Sequence, residues 1–332
     1  VSKAAVIGTT TWGTTLAILL AGNGMESVLL ARTPEEQRSL SRAGENRRFL
    51  PGFPFPPSVR VSSEPQEAFQ GASLVVFAVP ARSMRQNLRR VRRYLPEGPV
   101  LLSAAKGLES ESGKRMSQVL EEELPDRFHA GICALSGPNL ALEIARGKYT
   151  STVVASRDPK AAVLAQELLM SPSFRVYTSD DVVGVELGGA LKNIIALGAG
   201  MADGMEAGDN GKAAFITRGL AEITRLGVAL GASPLTFAGL AGMGDLVATC
   251  ASHLSRNRYV GEQIARGRPL REVLASMENV AEGVYTTGPA LAMARELGVE
   301  MPITEAIYKV LFQGLDPRKA IAELMVRPPK AE

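Results

Sequence analysis

The chain has 332 residues, 45% of them hydrophobic and 21% charged, which is long enough for two domains and apolar enough for a sizeable core. Thirty-seven basic residues against 34 acidic ones leave a net charge of +3, a balance that argues against a disordered chain or a dedicated nucleic-acid binder. Two cysteines, Cys133 and Cys250, and two histidines, His129 and His253, offer no metal-ligand spacing, so no metal is expected and a reducing, cytoplasmic setting is.

Ala4 to Ile7 reads as a strand, and Trp12 to Gly22 as a helix ending at a glycine. Val28 to Ala31 is a second strand, and Pro51 to Pro57 a proline-rich loop. Leu74 to Val79 is a β-branched run stopped by Pro80, as in a strand buried on both faces. Val100 to Ala104, Ile132 to Leu135 and Thr152 to Ala155 repeat the pattern between helices, predicting a mostly parallel, doubly wound α/β sheet. Near Ser179 the pattern becomes helical, so an α/β domain over 1–179 and an all-α domain over 180–332 are expected, with a ligand cleft between them. No charged-then-apolar leader is read at the N-terminus, and no uninterrupted apolar run has the length of a membrane span, so stable membrane insertion is not expected.

The first strand runs into Gly8-Thr9-Thr10-Thr11-Trp12-Gly13 and then a helix, close to the G-x-G-x-x-G turn that binds dinucleotides. The outer glycines serve the tight turn and the close helix-strand packing, and the helix N-terminal amides receive phosphates. Thr10 stands where the middle glycine belongs. A left-handed backbone there would cost about 1–2 kcal/mol. Its side chain would crowd the phosphates, although three threonine hydroxyls can donate to an anion. Arg32 ends the second strand, where an acid would hold the ribose of NAD; arginine suits a 2′-phosphate, so NADP is favoured over NAD.

From Leu187 to Ala202 a single charge, Lys192, sits in an apolar helix whose nearby face is Gly188, Gly189, Ile195 and Ala196. Either it snorkels to the surface or it is a desolvated ammonium suited to proton transfer; the absence of polar neighbours other than Asn193 favours the second. Three clusters could meet it. Lys106 follows a strand's carboxyl end, Asp245 lies in a glycine-rich turn, and Ser255-Arg256-Asn257-Arg258 suits a phosphate. Taken singly, each has a plain alternative as a loop charge, a helix cap or a surface arginine.

In this order the segments resemble the bacterial-type NAD(P)-dependent glycerol-3-phosphate dehydrogenase family. The likeness rests on Trp12-Gly13, A-A-K-G-L-E around Lys106, G-P-N-L-A-L-E from Gly137 and E-L-G-G-A-L-K-N around Lys192. It continues through G-D-N-G-K-A-A-F from Gly208, G-M-G-D-L-V-A-T-C around Asp245, Ser255 to Arg258, and Val280-Ala281-Glu282-Gly283. The resemblance implies a Rossmann-like N-terminal domain and reversible reduction of dihydroxyacetone phosphate to sn-glycerol 3-phosphate for glycerophospholipid synthesis, and a homodimer is expected. It makes Lys192 the proton donor, oriented by Asp245. Lys106, Gly137, Asn139, Ser255, Arg256 and Asn257 become substrate contacts, with Asn139 at a position where many relatives carry serine. Gly8, Thr10, Thr11, Trp12, Gly13, Arg32, Lys106, Ala141, Arg256, Val280 and Glu282 become cofactor contacts.

Three rivals remain at this level. One is a β-hydroxy-acid dehydrogenase with an all-α half; another is a cofactor sensor without turnover, suggested by Thr10. The third is nucleic-acid binding through Arg82, Arg85, Arg89, Arg90, Arg92 and Arg93, which lack interleaved aromatics and read better as a solvated helix face.

Overall fold

The computed structural model describes residues 2–329; Val1 and residues 330–332, the outer limits of the expected division, lie outside them. The apolar runs become strands β1 (Lys3–Ile7), β2 (Glu26–Leu30), β3 (Val59–Ser62), β4 (Ala72–Phe77), β5 (Val100–Ser103), β6 (Ile132–Ser136), β7 (Thr150–Ser156) and β8 (Phe174–Ser179). Between them run α1 (Thr11–Gly22), α2 (Pro34–Ala43), α3 (Pro65–Phe69), α4 (Met84–Val91), α5 (Met116–Glu123), α6 (Ala141–Ala145) and α7 (Pro159–Leu169). The strands form one sheet in the order β3-β2-β1-β4-β5-β6-β7-β8. Successive side chains alternate between its faces: Val6, Val76 and Leu102 pack with Leu16 and Leu20 of α1, while Ile7, Phe77 and Leu101 pack with Met84 and Leu88 of α4.

The sheet is parallel except where β7 pairs antiparallel with β6. The link between them carries only the five-residue α6, too short to return the chain across the sheet as a crossover helix does. The order reverses direction beside β1, so the crevice at the carboxyl ends of β1 and β4 is a topological switch point.

The rest of the described chain is helical: α8 (Val182–Gly204), α9 (Gly208–Ala229), α10 (Pro234–Ala238), α11 (Asp245–Ala251), α12 (Arg256–Ala265), α13 (Leu270–Ala275), α14 (Glu282–Glu296), α15 (Pro302–Gln313) and α16 (Pro317–Met325). Asp181 starts α8 by accepting the Gly184 N–H at 2.8 Å, and its other oxygen ties down Ser233 N and the Thr236 hydroxyl of α10. Helix α8 is largely apolar and is wrapped by α9, α11, α12 and α14. Leu187, Leu191, Ile194 and Leu197 are fully buried, each contributing about 1.5–3 kcal/mol of apolar transfer.

By length and composition α8 is long and apolar enough to cross a membrane, although Glu186, Lys192 and Asp203 interrupt its apolar run. Eighty-nine percent of its apolar window is buried inside the protein, as in a core helix.

Candidate active site

The chemistry gathers where α8 passes the carboxyl ends of β5 and β6. Two glycines on α8 make this possible. A Cβ at Gly188 would fall 2.6 Å from the Ala241 carbonyl oxygen, and one at Gly189 only 2.4 Å from the Ser136 hydroxyl and 3.5 Å from the Lys106 stem. The small face beside Lys192 therefore admits the 240–244 turn on one side and the Lys106 loop on the other. That turn is a single π-helical turn leading straight into α11, which brings Asp245 to the first position of its helix.

Lys192 is 5% exposed and Asp245 2%. The Lys192 ammonium donates to Asp245 Oδ1 at 2.7 Å and to the Thr249 hydroxyl, one helical turn further along α11. The other carboxylate oxygen, Oδ2, accepts from Lys106 Nζ at 2.8 Å, and Lys106 also donates to the Gly137 carbonyl at 2.6 Å. One buried carboxylate thus holds two ammoniums, and each ammonium keeps one N–H for a ligand. Burial presses Lys106 down to about 8, with the Asp245 charge opposing and the Lys192 charge reinforcing the fall.

A chain of amides locks the surroundings. Asn193 donates to the Lys106 carbonyl at 3.0 Å and accepts from Asn257 at 2.9 Å, and Asn257 in turn accepts from the Gly283 N–H at 2.9 Å. Asn193 and Asn257 each donate through the amide nitrogen and accept through the oxygen, so each amide is fixed in one orientation. Ser255 is the N-cap of α12 and accepts from Arg258 N at 3.2 Å, so one side of its hydroxyl is committed to the helix. Arg256 keeps an exposed side chain in the cleft; surrounding burial lowers its pKa while Glu282 opposes that fall. Arg258 turns away into ion pairs with Asp203 and Glu262 and has no part in this cluster.

Asn139 donates to the Thr152 hydroxyl at 2.9 Å, and its own Oδ1 is buried without a partner. Gly137 has φ +148, and a Cβ there would meet Thr152 Cα at 2.9 Å.

The nucleotide turn follows β1 and leads into α1. Gly8 has φ +112, and a Cβ on it would fall 2.5 Å from the Ala78 carbonyl; one on Gly13 would fall 1.9 Å from the Gly8 carbonyl. Thr10 is not left-handed. It has φ −74 and ψ 170 and caps α1, accepting from Gly13 N at 3.0 Å and donating to the Ala78 carbonyl at 2.9 Å.

The expected threonine donors are also already committed: Thr9 donates to Glu36 and Thr11 to the Phe49 carbonyl. What the turn offers an anion is the pair of first-turn amides of Thr11 and Trp12, which have no intrahelical acceptor. That geometry fits a pyrophosphate.

The segment before α14 closes over this turn from the helical half. Glu278 pairs with Arg48, Asn279 Oδ1 lies 3.4 Å from the Thr11 hydroxyl oxygen, and Glu282 accepts from Ala81 N at 3.1 Å, with Val280 between them. Burial raises the Glu282 pKa against the pull of the Ala81 N–H, Arg256 and Arg82. Ala141 begins α6 against α1, its carbonyl 3.4 Å from the Thr15 hydroxyl, and Arg32 is exposed at the end of β2 beside Glu36. A cavity of about 880 Å³ opens there, lined by Arg32, Glu36, Asn46, Arg47 and Phe49.

So the expected residues fall into two sets: Lys106, Lys192, Asp245 and their amide neighbours, and the 8–13 turn with Arg32. Thr249 joins the first set, as does Asn193, the polar neighbour of Lys192, and Phe49 and Asn46 join the second; none of the four was among the expected site residues.

The arginines of α4 and of the turn after it are mostly paired. Arg85, Arg89 and Arg92 all pair with Glu123, and Arg85 also pairs with Glu109 and Glu122.

Residues 3–162 match the family model described as the N-terminus of NAD-dependent glycerol-3-phosphate dehydrogenase, and residues 181–322 the model of its C-terminus. The chain belongs to the NAD-dependent glycerol-3-phosphate dehydrogenase family. A family member from Dehalococcoides mccartyi, named glycerol-3-phosphate dehydrogenase [NAD(P)+], is 50% identical over 98% of this chain and 90% of its own length. One of the same name from Desulfitobacterium hafniense is 49% identical over 100% of this chain and 93% of its own. The crystal structure of glycerol-3-phosphate dehydrogenase from Coxiella burnetii superposes with a TM-score of 0.92 at 33% identity, covering 98% of this chain and 99% of that one. The Rossmann-like sheet followed by a helical region is therefore the family's architecture, and membership excludes the β-hydroxy-acid branch.

Proposed function

We propose that the chain catalyses the reversible NAD(P)H-dependent reduction of dihydroxyacetone phosphate to sn-glycerol 3-phosphate. The observation that carries this reading is the Asp245 carboxylate holding Lys192 and Lys106 together in the cleft. Two of the three Lys192 N–H bonds are committed, and the third is the proton donor to the C2 oxygen. Asp245 and Thr249 fix the direction of that bond. When bound, the reduced nicotinamide supplies the hydride that reaches C2.

Lys106 balances charge beside both substrate and cofactor. Arg256, with Ser255 and Asn257, holds the phosphate and glycerol end. Gly137 and Asn139 border the substrate, and the unpartnered Asn139 oxygen supplies an acceptor for one of its hydroxyls. Gly8, Thr10, Thr11, Trp12, Gly13, Arg32, Ala141, Val280 and Glu282 shape the dinucleotide end. Residues 1–179 form the dinucleotide-binding unit and residues 180–332 the substrate unit.

The reading extends to a cytoplasmic homodimer that supplies glycerophospholipid synthesis. Two free, buried thiols and the exposed Leu235, Met243, Val247 and Leu254 of the helical half support the setting and the dimer respectively. The test is to mix folded protein with dihydroxyacetone phosphate and either NADH or NADPH and follow reduced-cofactor absorbance. Consumption with at least one is expected; none with either overturns the activity and favours the sensor reading.

A further inference from the structure

Five of the six arginines around α4 have partners that account for them. Arg85, Arg89 and Arg92 share Glu123, Arg82 lies over the Tyr285 ring at 4.6 Å, and Arg93 lies over Tyr94 at 4.7 Å. Arg90 is different. Among the described residues it forms no ion pair, and its guanidinium reaches across to the end of β2, where Nη1 donates to the Arg32 carbonyl at 3.2 Å.

Two guanidiniums therefore stand at one strand end with a single carboxylate, Glu36. That carboxylate is already engaged: it accepts the Arg32 N–H at 2.7 Å and the Thr9 hydroxyl at 2.6 Å, and lies 3.4 Å from the Arg32 guanidinium. Burial and the neighbouring Arg32 charge both press Arg90 below its ordinary pKa, with Glu36 opposing only in part, and an anion between the two arginines would relieve the remaining repulsion. Both side chains have planar forks suited to phosphate oxygens. The place is decisive, because the end of the second strand is where the adenosine ribose of a dinucleotide is read.

We infer that Arg32 and Arg90 form a two-guanidinium clamp for the ribose 2′-phosphate, and that Arg90 is the residue that makes this chain favour NADPH over NADH. The inference rests on the dehydrogenase reading for the presence of a dinucleotide, and it adds a residue from a helix outside the nucleotide turn. Arg32 alone is mostly exposed and leans on Glu36, so a single contact there would discriminate weakly. A second guanidinium makes the site net positive before the phosphate arrives.

The test is a titration of the full chain with NADPH and with NADH, read by the fluorescence of the reduced nicotinamide, for the unaltered protein, Arg90→Gln and Arg90→Lys. The unaltered protein is expected to bind NADPH at least about tenfold tighter than NADH, as one charge-assisted phosphate contact allows. In Arg90→Gln the ratio of the two affinities is expected to fall about tenfold, and in Arg90→Lys by less. Adenosine 2′,5′-bisphosphate should displace NADPH from the unaltered protein more strongly than adenosine 5′-monophosphate, a measurement that needs no variant. An unchanged ratio in Arg90→Gln, or equal displacement by the two adenosine nucleotides, overturns the clamp. Turnover with both cofactors at equal affinity would remove the clamp and leave the dehydrogenase reading standing. Failure to bind or turn over either would remove that reading as well.

Discussion

Lys192 and Asp245 are 53 residues apart in the chain and 2.7 Å apart in the fold, both almost wholly buried. A buried ion pair of this kind is maintained by its geometry, because removing one partner strands the other charge. Asp245 also faces Lys106, so its removal strands two. Asp245→Asn is therefore expected to cost about 3–5 kcal/mol of stability and to lower kcat by roughly 10²–10⁴-fold. Urea denaturation and steady-state kinetics would measure the two losses; a variant with full stability would show that the carboxylate does not balance the lysines.

The depressed Lys106 has a consequence for pH. Its protonated form pairs with Asp245, and the ammonium loses its proton as pH rises through about 8. The rate with dihydroxyacetone phosphate, as kcat/KM, should be full below that value and decline above it. Lys106→Arg keeps the charge without titrating in this range, so the decline should move well upward while the rate itself drops. A profile of the unaltered enzyme that stays flat to pH 10, chosen well above the value of about 8, would rule Lys106 out as the titrating group.

Thr10 is a cap and a tie. Its hydroxyl satisfies an amide at the start of α1 and reaches the end of β4 through Ala78. Thr10→Ala should destabilise the chain by about 1–2 kcal/mol, while Thr10→Ser should be nearly neutral, as measured by thermal or urea unfolding. Equal stability of Thr10→Ala and Thr10→Ser would contradict the cap.

Glu123 offers a test away from the site. Arg89 and Arg85 hold its pKa down to about 2, against the opposing effect of burial. A carboxylate with a lowered folded pKa stabilises the fold above its ordinary value near 4.5, and that contribution is lost as pH falls toward about 2. Arg89 and Arg92 are half exposed, so solvent screening reduces the gain to roughly 1–2 kcal/mol. Glu123→Gln should be less stable by that amount at neutral pH and indistinguishable from the unaltered protein near pH 2, as read from urea midpoints. A constant gap at both pH values would place the effect in packing.

The sequence was most readable where burial on both faces leaves an uninterrupted apolar run. Ala4 to Ile7, Leu74 to Phe77 and Val100 to Leu102 are such runs, and all are strand. Strands β3 and β8 are not readable in this way, because Val-Arg-Val-Ser and Phe-Arg-Val-Tyr-Thr-Ser lie at the sheet edges with one face toward water. The reversed direction of β7 is absent from its own residues; it follows from the short link through α6.

In the site, Lys192 stands out as a lone charge, and Asp245 needs its partner from a distant segment to be understood. Thr249 carried a usable signal, four residues after Asp245 on one helix face. Arg90 carried none, since an arginine-rich run does not reveal which member turns away from the rest.

Helix α8 contains six glycines among its 23 residues. In an isolated helix each costs about 1 kcal/mol relative to alanine, roughly 6 kcal/mol together, so this segment has little tendency to coil on its own. It becomes helical when α9, α11, α12 and α14 close around it. Lys192 is therefore sequestered only where that tertiary packing is in place. Protection of that one amine from an acylating reagent would therefore time the arrival of the finished site.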